Sequence, residues 1–110
     1  MFKSKINDEI CLETLKEICK KYEMEHCYCI GRPIEQKVCI CKRKDNWEVF
    51  IIERGLEFQK EKHKQCIDAC LDVIKFCSYS IDEFKEASNE YVSILSSKTN
   101  VNKSKIKIKQ

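Results

Sequence analysis

The run Asn46-Trp47-Glu48-Val49-Phe50-Ile51-Ile52-Glu53-Arg54-Gly55 limits the fold more than any other stretch of the chain. Asp45 and Asn46 supply turn chemistry before it and Gly55 a stop after it, and its interior is β-branched and aromatic, as a pleated and largely buried surface requires. It reads as a central β-strand. Alternation sends Trp47, Val49, Ile51 and Glu53 to one face and Glu48, Phe50, Ile52 and Arg54 to the other. Both faces are apolar in the middle, so both need cover.

Helical periodicity brackets this strand. Cys11, Leu15, Ile18, Cys19 and Tyr22 recur at helical spacing from about Asp8 to Tyr22, with Asn7 as N-cap and Asp8 and Glu9 at the positive end of the helix dipole. Two short alternating runs, 26–30 and 38–42, flank a loop holding the only proline, Pro33, and one of two glycines, Gly31. They read as an antiparallel hairpin, which with the central strand makes a three-stranded meander. After a connection at 56–60, Cys66, Ala69, Cys70, Val73, Ile74 and Cys77 predict a helix from about Glu61 to Cys77. Ser80 and Glu83 have capping-box spacing at the start of another, to about Leu95. From Ser96 the composition of Ser, Thr, Asn and Lys predicts a disordered end. The expectation is an α+β domain over 1–96, with an N-terminal helix, three antiparallel strands and two C-terminal helices packed on the sheet. Residues 97–110 would be a flexible lysine-rich tail. The alternation of Lys105-Ile106-Lys107-Ile108-Lys109 leaves a late edge strand as the alternative.

Chain totals narrow the function classes. At 110 residues one core suffices without staples. The N-terminal nine residues hold no apolar run resembling a signal peptide, and no segment approaches the ~20 apolar residues of a membrane span, so we expect a cytoplasmic protein without a membrane partner. In that reducing compartment nine cysteines are expected as thiols. Of 21 basic residues, five (Lys98, Lys103, Lys105, Lys107, Lys109) lie after residue 96 beside no acid, which leaves 16 basic and 18 acidic residues before it. A near-neutral body argues against nucleic acid as the partner. The alternative, a small nucleic-acid-binding or regulatory module, rests on that tail and on Lys42-Arg43-Lys44.

Cys27, Cys29, Cys39 and Cys41 have the sharpest spacing. A hairpin symmetric about Ile34 would set Cys27 opposite Cys41 and Cys29 opposite Cys39, four sulfurs on one face that could hold zinc. Against this, structural zinc sites favour turn-borne C-x₂-C pairs, and the other five cysteines all fall on apolar helix stripes. Buried thiols are the preferred reading, with no metal and no cofactor. His63, Cys66 and Cys70 share one helix face, with the cysteines read as core and His63 as exposed. No nucleophile-elbow, P-loop, zinc-protease or dinucleotide-binding pattern is present, so we expect no catalysis.

The strand Trp47 to Gly55, with its W-x-V-aromatic start and E-R-G end, is followed by Phe58 and the helix residues Cys66 to Cys70. In this it resembles small bacterial immunity proteins of polymorphic toxin systems. The resemblance covers residues 46–76 and, loosely, the Gly31-Arg32-Pro33 loop. It implies a protein that binds a cognate toxin domain and neutralises it in the cytoplasm. Contacts are then expected from Glu53 and Arg54 at the sheet end, Asp68 and Asp72 on the second helix, and Glu83, Glu86 and Glu90 on the third. Toxins of these systems that act on nucleic acid present basic clefts, which favours the acidic helix rows.

Overall fold

The computed structural model describes residues 6–108 and is α+β. Residues 1–5, within the N-terminal segment lacking an apolar run, lie outside the described residues, as do Lys109 and Gln110. The order is α1 (Asp8–Lys21), β1 (Tyr28–Ile30), β2 (Val38–Arg43), β3 (Asn46–Glu53), β4 (Leu56–His63), α2 (Cys66–Cys77), α3 (Ile81–Thr99) and a 3₁₀ turn (Lys103–Lys105). Among the described residues no helix is long and apolar enough to cross a membrane.

Local chemistry sets the helix ends. The Asn7 side chain accepts the Ile10 N–H at 2.8 Å and opens α1. The Ser80 hydroxyl accepts the Glu83 N–H at 3.1 Å, and the Glu83 carboxylate reaches back to the Tyr79 N–H at 3.0 Å, a capping arrangement that starts α3. α2 is buried at Cys66, Ile67, Ala69, Cys70, Leu71, Val73 and Ile74, nearly all the way round. A helix of that kind needs cover on both sides. It has it: α2 lies on β2, β3 and β4 with one flank and meets α1 and α3 with the other. The expectation that both C-terminal helices pack on the sheet is therefore corrected. α3 packs on α1 and α2, because its apolar stripe through Phe84, Ala87, Tyr91 and Leu95 joins the helical side of the core.

The sheet has four strands in the order β1-β2-β3-β4, not three. The segment read as a connection, Leu56 to Lys60, begins β4, which pairs antiparallel with β3 across a two-residue turn. Arg54 and Gly55 both take positive φ, 53° and 75°, the geometry that closes a right-twisted hairpin. The register then slips between Val49 and Ile51, with Gln59 at φ 55°, a β-bulge. Because β4 runs to His63, α2 starts at Cys66 rather than near Glu61.

The first two strands are parallel, not a hairpin. Tyr28, Cys29 and Ile30 pair with Val38, Cys39 and Ile40 in that order. A three-residue strand spans only ~10 Å, a distance the 31–37 loop recrosses before entering β2 from the same end. The returning loop joins the sheet, since the Gln36 N–H donates to the Ile52 carbonyl at 2.8 Å.

One sheet face, with Val38, Ile40, Trp47 and Val49, belongs to the main core with the helices, and the other carries Cys29, Cys39, Cys41, Phe50 and Ile52 as a second cluster. The C-terminal segment also differs from expectation. α3 continues to Thr99, Asn100 caps it at φ 60°, and Ile106 and Ile108 pack against the main core where composition suggested a disordered end. Residues 105–108 form the end of the 3₁₀ turn and coil, not a strand.

Candidate functional site

The end of the sheet at the β3–β4 turn combines exposure, apolar surface and rigidity. Leu56 and Phe58 lie one alternation apart on β4 and are 62% and 44% exposed. Their cross-strand partners are Glu53 and Ile51. Glu53, Arg54, Leu56 and Phe58 line a shallow hollow of about 340 Å³. Ile34, 45% exposed, sits in the neighbouring loop, so among the described residues three of the five large hydrophobics that face water belong to this region. Most of an ordinary surface scatters such residues singly.

The turn is held from outside. Glu35 places one carboxylate oxygen on the Arg54 N–H and the other 3.0 Å from the Gly55 N–H. Consecutive N–H groups in left-handed backbone form a concave anion site. Here the chain fills that site with its own side chain, which fixes the turn carrying Arg54 and the strand carrying Leu56.

Under this region, on the face away from the helices, a charged lid seals the second cluster. Arg43 donates to Glu48 at 3.0 Å and to Glu57 through both terminal nitrogens at 3.0 and 2.8 Å, and its guanidinium stands 4.7 Å from the centre of the Phe50 ring. Lys60 reaches Glu57 at 2.7 Å and Glu48 at 3.6 Å, and Lys62 lies 4.0 Å from Glu48. The Glu57 carboxyl is held down to about 2, mainly by the Arg43 hydrogen bonds and then by Lys60. Arginine suits this place, because its planar fork grips a carboxylate while its face covers a ring.

The acidic rows of the helices meet different surroundings. Asp72 is tied to His63 on β4, Oδ2 to Nε2 at 2.5 Å, with 22% and 15% of the two side chains exposed. His63, expected as an exposed residue at a helix start, is thus a half-buried strand residue bonded to that helix. Asp68, half-buried, lines a hollow with Lys105 and Lys107 of the C-terminal segment. Glu90 accepts from Lys21 at 2.5 Å and from the Tyr22 hydroxyl at 2.9 Å, and Glu86 accepts from the same hydroxyl at 3.2 Å. The Lys21 contact lowers the Glu90 carboxyl, and desolvation followed by Glu90 raises the Tyr22 hydroxyl. Glu83 serves the α3 cap. Glu53 and Arg54 are fully at the surface.

The cysteines sort into three trios. Cys29, Cys39 and Cys41 share the second cluster, and burial followed by its two neighbours raises the Cys39 thiol. Cys27 precedes β1 instead of pairing with Cys41. It lies exposed near Cys19 and Cys77, where burial pushes the Cys19 thiol up to about 12. Cys11, Cys66 and Cys70 meet between α1 and α2. Among the described residues no three of His, Cys, Asp and Glu are arranged to hold a metal ion. The four-sulfur face drawn from a symmetric hairpin does not form: Cys29, Cys39 and Cys41 lie together, but Cys27 falls before β1, beside Cys19 and Cys77 of the helices.

No protein-family model, curated protein or solved structure matches this chain. The functional reading therefore rests on the geometry above and on the strand signature.

Of the residues lining this hollow and its clamp, sequence reasoning named Glu53 and Arg54 as candidates, did not name Leu56 or Glu35, and counted Phe58 as part of a connection. Its available signal was Arg54-Gly55 followed by apolar residues at 56 and 58, a two-residue hairpin without the usual Asn or Asp.

Proposed function

We propose that this protein is a binding module of the immunity type, which holds a cognate toxin domain and blocks it, with the β3–β4 end of the sheet as the contact. One observation carries the reading: two large apolar side chains, Leu56 and Phe58, stand exposed side by side at the start of β4, next to a turn whose backbone is clamped by Glu35. Covering a Leu or Phe is worth ~1.5–3 kcal/mol, and a fixed backbone loses little further entropy on binding, so such a pair makes an efficient anchor. Glu53 and Arg54 beside it supply charges of both signs for orientation, the usual rim around an apolar centre.

The acidic rows on α2 and α3 remain the competing contact. They offer less, since Asp72, Glu86 and Glu90 already have partners within the fold and would have to release them. The W-x-V-aromatic strand ending in E-R-G supports the immunity reading in particular, because that signature delivers Glu53, Arg54 and Gly55 to the exposed turn.

On this reading the neighbouring gene encodes a toxin-bearing protein, and co-expression with that protein is the test. Cells should survive with the wild type and the two proteins should copurify. Leu56→Ser with Phe58→Ser should lose both while keeping the far-ultraviolet spectrum and unfolding midpoint. Failure of the wild type to protect or copurify sinks the reading. Loss instead on neutralising Glu83, Glu86 and Glu90, with the Leu56 and Phe58 variant intact, moves the contact to α3.

A further inference from the structure

We infer that the outer edge of β4 takes up an extended segment of the partner protein as a fifth strand, one whose side chains alternate apolar and acidic. The inference rests on the partner-binding reading and specifies how the contact is made.

β4 is the last strand of the sheet, eight residues long, and among the described residues nothing pairs with its outer side. The register says which backbone groups point outward. Glu53 and Leu56 close the two-residue turn as a hydrogen-bonded pair, so the next pair, Ile52 and Glu57, is not bonded and Glu57 turns its N–H and C=O away from β3. Likewise Arg43 and Asn46 close the β2–β3 turn, which puts the backbone groups of Glu48 on β2. Lys62, opposite Glu48, must therefore face outward too.

Natural edges are guarded by lysines and bulges that discourage strand pairing. Here the guard covers only half the strand. Gln59 forms the bulge, and Lys60 and Lys62 follow it. The half before it exposes Leu56 and Phe58 on one face. A strand laid alongside would cover those two with its own apolar side chains, as cross-strand neighbours do.

The other face asks for negative charge. Three cations, Arg43, Lys60 and Lys62, share two carboxylates, Glu48 and Glu57. Lys62 has the weakest hold, 4.0 Å from Glu48 with 62% of its side chain exposed. A carboxylate on the added strand across from Lys62 completes the set. The Glu35 clamp at the turn and the Arg43 fork on Glu57 hold the first half of this template before the partner arrives.

Amide hydrogen exchange on the full chain, free and with the toxin domain that the partner-binding reading expects from the neighbouring gene, tests the inference. In the free chain the Glu57 and Lys62 amides should exchange freely, and in the complex they should slow by at least ~100-fold. Lys62→Pro removes the outward N–H without removing a bond to β3, and should weaken binding at least ~10-fold. Lys62→Ala, which keeps the N–H, should cost less than Lys62→Pro. A tight complex in which both amides keep their free rates overturns strand addition and leaves the binding reading standing. So does wild-type affinity in a folded Lys62→Pro chain. Protection that grows with concentration in the isolated chain assigns the edge to a second copy and also overturns it. Absence of any complex overturns the binding reading and this inference together.

Discussion

Replacing Arg43 by alanine should remove the seal over the second cluster, and the loss can be sized from its contacts. The side chain makes one hydrogen bond to Glu48 and two to Glu57, and covers Phe50, which has no exposed surface. Glu48 matters most, because its side chain is only 9% exposed, and without Arg43 it keeps just the looser Lys60 and Lys62 contacts at 3.6 and 4.0 Å. A hydrogen bond to a buried charge is worth ~1.5–3 kcal/mol and a partly exposed cation over a ring ~0.5–1 kcal/mol. The Glu57 pair, more open to water, adds at most ~1 kcal/mol. The expected loss is about 3 kcal/mol, or on the order of 10 °C in melting temperature. Urea midpoints over a pH series give the assay. Glu57 titrates lower in the folded chain than its ordinary 4.5, at about 2, so its contribution is present above about 4.5 and fades as pH falls toward 2. The gap between wild type and Arg43→Ala should therefore be wide near neutrality and narrow steadily through that window. A gap under ~0.5 kcal/mol at neutral pH, or one that stays constant down to pH ~2, would refute the reasoning.

Two further outcomes follow from burial. Removing residues 102–110 should lower stability by ~1–2 kcal/mol, since Ile106 and Ile108 are partly buried on the core, and an unchanged urea midpoint would show those contacts to be worthless. With a thiol-reactive dye the native protein should show one fast cysteine, Cys27, and a slower one, the half-exposed Cys77 whose thiol burial raises. The other seven should react only on unfolding, and a second fast thiol in the native state would contradict the burial of those seven.

What the sequence disclosed was whatever local chemistry writes down. Asn7, Ser80 and Glu83 announced two helix starts, and the β-branched run found β3 with its faces correctly divided. β4 escaped because the bulge at Gln59 shifts the phase of its alternation, and because an edge strand exposed on both faces carries Glu57, Lys60, Glu61 and Lys62 as a loop would. Strand direction escaped too: the alternation of Cys27, Cys29, Cys39 and Cys41 says nothing of which way each strand runs, nor that Cys27 stops short of β1 and leaves the face the other three share. The internal use of the acidic rows depends on partners such as Tyr22 and Glu90, 68 residues apart, which no local pattern reports.

The abundance of cysteine follows from how closely the layers approach. α2 has to fit between the sheet and α1, and on its α1 side it offers Cys66 and Cys70. The Cys70 sulfur comes within 3.6 Å of the Cys11 carbonyl, Cys66 lies 4.0 Å from that of Asp8, and the buried Tyr91 hydroxyl donates to the same Cys11 carbonyl at 3.1 Å. A leucine at either cysteine would push α1 away and break the tyrosine contact, whereas alanine would leave a void, so a small polarisable side chain fits best. All three helices are thereby stacked on one side of the sheet. Among the described residues no helix covers the opposite face, which is closed by Arg43, Lys60 and the carboxylates between them, with β4 carrying that charged cover on one side and Leu56 and Phe58 on the other. Burial is concentrated where α2 lies, and β4, the strand farthest in the sheet from the parallel pair, keeps an open outer edge among the described residues.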